Sequence, residues 1–244
     1  MKLVLATDDD GKPEIFASVQ GEGPSTGGPV AFVRLSRCNL ACVWCDTPYT
    51  WHFDGDARPH RNGRTFDRRA NQVTLEVEAV AARIAALGQA RLVVTGGEPT
   101  LQSAPLEALL RALQDMTVEI ETNGTALPSA QIDARIDQYN VSPKLSHSGN
   151  AASLALREEP LEFFAAHDRA WFKFVVANEA DVAEVAQLVE RFALRKERVF
   201  LMPEGTDSAT LRRRQEWLVP LCLDHGFRLS DRLHIHLFGD TRGT

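Results

Sequence analysis

The stretch Arg37-Cys38-Asn39-Leu40-Ala41-Cys42-Val43-Trp44-Cys45-Asp46 places three of the chain's four cysteines within eight residues, at CxxxCxxC spacing. Thiolates this close can converge on one metal centre, but three cannot give every iron of a cubane iron–sulfur cluster its outer ligand. One iron is left open. An open coordination position is where substrate or cofactor chemistry takes place, whereas closed four-ligand sites are usually structural. A zinc site completed by His52 or a distant group is the competing reading, although the paired CxxC or HxxxH half of a structural zinc site is missing. Met1 to Leu5 lead into Asp8-Asp9-Asp10 without an apolar core and cleavage site, so a secretory signal is not expected. In a reducing cytoplasm clustered thiols read as metal ligands rather than disulfides. Cys222, inside Leu218-Val219-Pro220-Leu221-Cys222-Leu223, reads as a small buried hydrophobe.

Outside this stretch, 244 residues with 44% hydrophobic content can bury a substantial core as one domain spanning residues 1–244. Lys and Arg total 27 against 33 acids, a net charge of −6, so no general basic field is available to hold nucleic-acid phosphates. No apolar run reaches the roughly 18 residues of a membrane span. A cytoplasmic protein without direct nucleic-acid or membrane contact is expected.

Short β-rich runs alternate with helical patterns along the chain. Strands are expected at Val30 to Leu35, Arg91 to Thr95, Val118 to Thr122, Tyr139 to Ser142, Trp171 to Val176, Val199 to Met202 and Leu233 to Leu237. Thr74 is placed to cap a helix whose stripe of Val77, Val80, Ala81, Ile84 and Leu87 ends at Gly88. Asn178 is placed to cap another, through Val182, Val185, Leu188, Val189 and Phe192. Strand then helix, repeated, implies parallel pairing through right-handed crossovers. The expected fold is α/β, a partial (β/α) barrel of about six parallel strands. His52 to Gln72 is polar and reads as an insertion loop, either solvated or a lid, and Gly239 to Thr244 reads as a frayed tail.

In parallel α/β folds the working face lies at the C-terminal ends of the strands. Thr95-Gly96-Gly97-Glu98-Pro99 falls at one such end, Glu121-Thr122-Asn123 and Ser142-Pro143-Lys144 at two others, and Met202-Pro203-Glu204-Gly205 at a fourth. Each alone is an ordinary turn. The cysteine spacing, with an aromatic beside the last thiol, resembles the radical S-adenosylmethionine (SAM) superfamily. That resemblance implies a [4Fe–4S] cluster on Cys38, Cys42 and Cys45, with SAM held by Gly97, Glu98, Ser142, Pro143, Lys144, Met202, Pro203, Glu204 and Gly205.

Phe16-Ala17-Ser18-Val19-Gln20-Gly21-Glu22-Gly23-Pro24 reads as a strand ending in a glycine-rich turn. Together with the cysteine run through Trp51 and TGGEP, it resembles the 7-carboxy-7-deazaguanine synthases over about Phe16 to Phe238. This resemblance implies conversion of 6-carboxy-5,6,7,8-tetrahydropterin to 7-carboxy-7-deazaguanine with loss of ammonia, on the route to preQ0 and queuosine. The reduced cluster would cleave SAM to a 5′-deoxyadenosyl radical that abstracts hydrogen from the pterin carbon bearing the carboxylate, and hydrogen return would regenerate SAM. By motif match, Gln20, Gly21 and Glu22 contact the pterin edge, Arg34 its carboxylate, Thr95 and His236 the substrate, and Thr47 a Mg²⁺ ion. Without the resemblance Thr47 is unremarkable, Arg34 is a strand-edge charge, and either His234 or His236 could serve, since alternation would put both on one strand face. An electron donor such as flavodoxin or ferredoxin and a homodimer are further implications. The departures are the long 52–72 insertion and the terminus beyond Phe238. Another radical SAM enzyme, such as a glycyl-radical activase, shares the cysteine motif but not Gln20-Gly21-Glu22; a zinc-stabilised binding module is the alternative of a different class.

Overall fold

Buried apolar strands need both faces covered, and the chain meets that need by threading helices between parallel strands. The structure, a computed structural model, describes residues Met1–Thr244. Its strands are β1 (Lys2–Ala6), β2 (Ile15–Val19), β3 (Pro29–Leu35), β4 (Gln72–Glu76), β5 (Arg91–Gly96), β6 (Thr117–Thr122), β7 (Gln138–Val141), β8 (Ala170–Val176), β9 (Val199–Pro203) and β10 (Arg228–Leu229). They form one sheet in the order β10-β9-β8-β7-β6-β5-β3-β1-β4, with β2 also paired to β3. From β3 through β10 the neighbours are parallel, while β1, β2 and β4 pair antiparallel. This is the expected α/β partial barrel: six of the seven expected strands form its parallel run. Helices Ser103–Ala112, Glu158–Ala166, Glu179–Arg191 and Ser208–His225 cross between successive strands, and the crossing from β6 to β7 keeps only the single turn Ala130–Asp133. Their apolar faces and the strands' outer faces build one continuous core, which includes Cys222. No helix is long and apolar enough to cross a membrane.

The Asn178 cap forms as expected, with Asn178 Oδ1 accepting from Ala180 N at 2.9 Å and Asp181 Oδ2 accepting from Asn178 N at 3.1 Å. Three expectations are corrected. Thr74 caps nothing: it lies in β4, paired with Val4 of β1, and the helix begins three residues later, at Val77. Lys2–Ala6 alone is too short to announce itself, and the β1–β4 pairing that buries Leu3 and Leu5 joins segments some seventy residues apart. Leu233–Phe238 is a short helix rather than a strand, because Leu233 N donates to Gly21 O at 2.9 Å and turns the segment across the barrel mouth. Finally, 52–72 is largely exposed, as a solvated loop would be, but it is not free of the core. Phe53 and Phe66 form a bridge and pack with Ala6 and Tyr49, His52 and His60 are buried, and Gln72 already belongs to β4.

Candidate active site

The C-terminal ends of the parallel strands open into one cleft, and most of the residues singled out above meet there. Arg34 comes from β3, Thr95 from β5 with Gly97 just past it, Ser142 and Lys144 from the turn after β7, and Met202 from β9. Cys38, Cys42, Cys45 and Thr47 line it from the loop after β3, and Gln20-Gly21-Glu22 from the turn after β2.

The cluster loop owes its shape to close backbone contacts. A Cβ on Gly97 would lie 2.1 Å from Arg37 O, and one on Gly96 2.0 Å from Leu35 O, so both positions exclude any side chain. Glu98 N then donates to Arg37 O at 2.9 Å. The 52–66 segment braces the other side: Arg61 N donates to Val43 O at 2.8 Å, and His60 Nε2 lies 2.9 Å from Cys45 O. His52, the possible zinc ligand, has its Nδ1 on Arg64 O at 2.8 Å.

The thiols fit a cluster in their chemistry. Burial pushes Cys38 up to about 12 and Cys45 up to about 11, and raises Cys42, so the bare thiols are protonated at neutral pH and a cationic metal centre is what would draw them into the thiolate form. Amide donors already address the sulfurs: Asn150 Nδ2 lies 3.3 Å from Cys42 Sγ and Leu40 N 3.5 Å from Cys38 Sγ. No three His, Cys, Asp or Glu side chains converge on a single ion. Ligands of a cubane sit on separate irons, so they stand further apart than ligands of one ion.

Beyond the cluster loop the cleft is strongly charged. Arg34 Nε lies 3.1 Å from Glu14 Oε2 without hydrogen-bond alignment, and its guanidinium has no hydrogen-bond partner in the protein. Burial opposes its charge, but Tyr49, Glu14 and Glu121 hold its pKa above the usual arginine value. Glu22 is ion-paired to both Lys173 and Arg232; burial would raise its pKa, but these cations keep the carboxyl well below the usual range. Thr95 Oγ1 donates to Glu121 Oε2 at 2.8 Å. Gln20 is turned inward, its Nε2 3.3 Å from Glu119 Oε2 and its Oε1 accepting from Glu22 N at 3.2 Å.

Several singled-out residues lie elsewhere. Glu98 is fully buried behind the loop, where its carboxylate accepts from Asn123 N at 2.7 Å, Thr100 Oγ1 at 2.6 Å and Thr122 Oγ1 at 3.0 Å. Glu204 is clamped between Arg61 and Arg214, and Glu204 and Gly205 line a neighbouring cleft; Pro143 and Pro203 also lie outside the lining. His236 faces away, with Nδ1 2.9 Å from Ser208 Oγ and Nε2 3.2 Å from Asp231 Oδ1. Helical rather than strand geometry separates it from His234, which lines the cleft against Gly21, where a Cβ would lie 2.2 Å from His234 Nδ1. Lys173, Arg232, Asn140 and Asn150 carry no local motif that could have revealed them. The tail is not frayed: the Arg242 guanidinium stacks 3.6 Å from the Tyr49 ring centre, and its Nη1 donates to Asn71 Oδ1 at 2.9 Å.

The radical SAM superfamily profile matches residues 33–147. A 7-carboxy-7-deazaguanine synthase from Pyrobaculum aerophilum is 40% identical over 235 residues, covering 94% of this chain and 95% of that protein. The chain belongs to the 7-carboxy-7-deazaguanine synthase family. A relative of the same name from Hyperthermus butylicus is 36% identical, covering 91% of this chain and 90% of its own. The solved structure of QueE from Escherichia coli superposes with a TM-score of 0.67 at 27% identity, over 96% of this chain and 95% of that one. The cofactors of this family are a [4Fe–4S] cluster, SAM and Mg²⁺.

Proposed function

We propose that this protein is a radical SAM carbon–nitrogen lyase that converts 6-carboxy-5,6,7,8-tetrahydropterin to 7-carboxy-7-deazaguanine with release of ammonia. The observation that carries the reading is Arg34, a half-buried arginine ion-paired to Glu14 through Nε but making no hydrogen bond within the protein, in the same cleft as three clustered thiols and the doubly paired carboxylate of Glu22. With Glu14 beside Nε alone, the terminal N–H donors of this guanidinium are left to grip a substrate carboxylate as a fork. A carboxylate held ionised by two cations is a fixed acceptor for the N–H edge of a pterin.

Cys38, Cys42 and Cys45 would hold the cluster, which would supply the electron that cleaves SAM to methionine and a 5′-deoxyadenosyl radical. The remaining work falls to this chain. Gly97, Ser142, Lys144 and Met202 flank the place for SAM, and Thr47 offers a hard hydroxyl oxygen for Mg²⁺ shared with the substrate. Lys144 is preset for this by hydrogen bonds to Ser142 O at 2.7 Å and Ser142 Oγ at 2.8 Å. His234 takes the substrate-side role read earlier for His236; burial lowers its pKa and keeps the ring neutral. A cytoplasmic electron donor such as flavodoxin or ferredoxin and a homodimeric assembly belong to the same reading. The test is anaerobic reconstitution followed by SAM, reductant and the carboxylated tetrahydropterin. Ammonia and the deazapurine are expected, and their absence from an enzyme that cleaves SAM would turn the reading toward another radical SAM activity.

A further inference from the structure

Arg232 is a buried residue next to the short helix at the barrel mouth, and its guanidinium joins three segments remote from one another in sequence. Nε donates to Glu22 Oε1 at 3.1 Å, Nη1 donates to Gly205 O at 2.6 Å, and Nη2 pairs with Asp46 Oδ2. Glu22 lies on the turn after β2 and receives Lys173 of β8 on its other oxygen. Asp46 stands between Cys45 and Thr47 on the cluster loop, and Gly205 follows the end of β9. The backbone of the short helix adds a second tie to the same turn, Leu233 N to Gly21 O.

No other contact joins the Glu22 turn to the Asp46 loop by hydrogen bond. A planar guanidinium with donors at fixed angles sets the separation of the groups it bridges, whereas an ammonium on a flexible stem fixes a charge but not a geometry. Hydrogen transfer between two bound molecules demands such registration, and a displacement of about 1 Å can cost about 100-fold in rate.

We infer that Arg232 is a positioning residue, which holds the Gln20-Gly21-Glu22 turn in register with the Cys45-Asp46-Thr47 end of the cluster loop. Resting on the function proposed above, this means that Arg232 sets the distance between the reacting pterin carbon and the radical generated from SAM. It acts through Glu22 and Asp46, the two carboxylates it holds.

The experiment uses anaerobically reconstituted Arg232→Lys, Arg232→Ala and Asp46→Asn, the last cutting one arm of the bridge while sparing the others. Three quantities are read: 5′-deoxyadenosine released per deazapurine formed, the iron content with the reduced cluster's electron paramagnetic resonance spectrum, and backbone hydrogen exchange over residues 20–24 and 43–47. In Arg232→Lys, kcat should fall about 100-fold with the pterin KM changed by less than about tenfold, and released 5′-deoxyadenosine per product should rise at least about tenfold. Iron content and spectrum should match wild type, and exchange should rise in both segments together. Asp46→Asn should show the same uncoupling in weaker form, and added guanidinium ion should partly restore coupling and protection in Arg232→Ala.

Wild-type coupling and exchange in the variants would overturn the inference. So would a parallel loss of SAM cleavage and product without guanidinium rescue, which marks a merely structural arginine. If wild-type enzyme made no deazapurine, the proposed function would fail instead, and hydrogen exchange in the two segments would still decide the role of Arg232.

Discussion

Replacing Glu119 by alanine should destabilise the protein by about 3 kcal/mol, because this one carboxylate collects the polar groups beneath the cleft. It is fully buried on β6 and accepts from Ser25 Oγ at 2.7 Å, Gln138 Nε2 at 3.1 Å, Asn140 Nδ2 at 3.2 Å, Gln20 Nε2 at 3.3 Å and Arg91 Nη1 at 2.6 Å. Asn140 and Gln20 are buried; the Asn140 amide is orphaned and Gln20 Nε2 keeps only a long contact to Glu121 Oε1 at 3.5 Å, so each costs about 1 kcal/mol. Ser25 and Gln138 are half-buried, and Gln138 keeps Asn140 Oδ1 at 3.0 Å, so each costs about half as much. Arg91 has 36% of its side chain exposed and rehydrates, contributing little. At roughly 2–4 °C per kcal/mol for a chain of this size, about 3 kcal/mol corresponds to a Tm lower by about 10 °C. Scanning calorimetry on the cluster-free protein, with Ser25→Ala as the single-donor comparison, measures it. A Tm loss under about 2 °C for Glu119→Ala, or one equal to that of Ser25→Ala, would show that water replaces the carboxylate at no cost and refute the reasoning.

Arg34→Ala should lower pterin turnover by a factor on the order of 100, since a desolvated charge-assisted pair is worth roughly 3 kcal/mol, while SAM cleavage without substrate persists; a turnover within threefold of wild type removes Arg34 from carboxylate binding. Asn150→Ala removes an N–H donor aimed at Cys42 Sγ and should shift the cluster midpoint to more negative potential by tens of millivolts, read by anaerobic redox titration; an unchanged potential means the contact does not reach the cluster's electronics. Acid should destabilise the fold in two stages. His234 is held neutral by burial, with a pKa below its ordinary 6.5, so its share of stability is complete above about 6.5 and declines below it. Glu22 lies below its ordinary 4.5 because Lys173 and Arg232 overcome its burial, so its share is complete above about 4.5 and is lost as pH falls further. A Tm that rose as the pH fell from 7 to 5 would contradict the sign for His234, one that rose as it fell below about 4.5 would contradict the sign for Glu22, and Glu22→Gln should flatten only the lower stage.

Much of the site was legible wherever chemistry and spacing lie within one short segment. Three thiols within eight residues announce a shared metal centre, and Asn178 with Asp181 forms its capping box from neighbours alone. The six parallel strands could be read from short β-rich runs separated by helical stripes. The same local reasoning misplaced Thr74, whose neighbourhood shows both a strand and a helix onset, and Leu233–Phe238, where six mainly apolar residues alternate like a strand. It assigned Glu98, Glu204 and His236 to the cleft by their place in a motif, and their side chains turn instead to Thr122, Arg214 and Ser208.

The sequence by itself determined the cluster segment, the parallel α/β architecture and the strand ends at which the working residues gather, because side-chain periodicity and short-range ligand spacing are properties of a contiguous segment. Only the tertiary structure decided that 52–66 braces the cluster loop, that β1 takes up β4, that His234 rather than His236 faces the cleft, and that Arg232 ties Glu22 to Asp46 across 210 and 186 residues of chain. A buried arginine or glutamate takes its meaning from the partner that desolvation forces it to find, and that partner is set by which strands and loops close together, not by its neighbours in sequence.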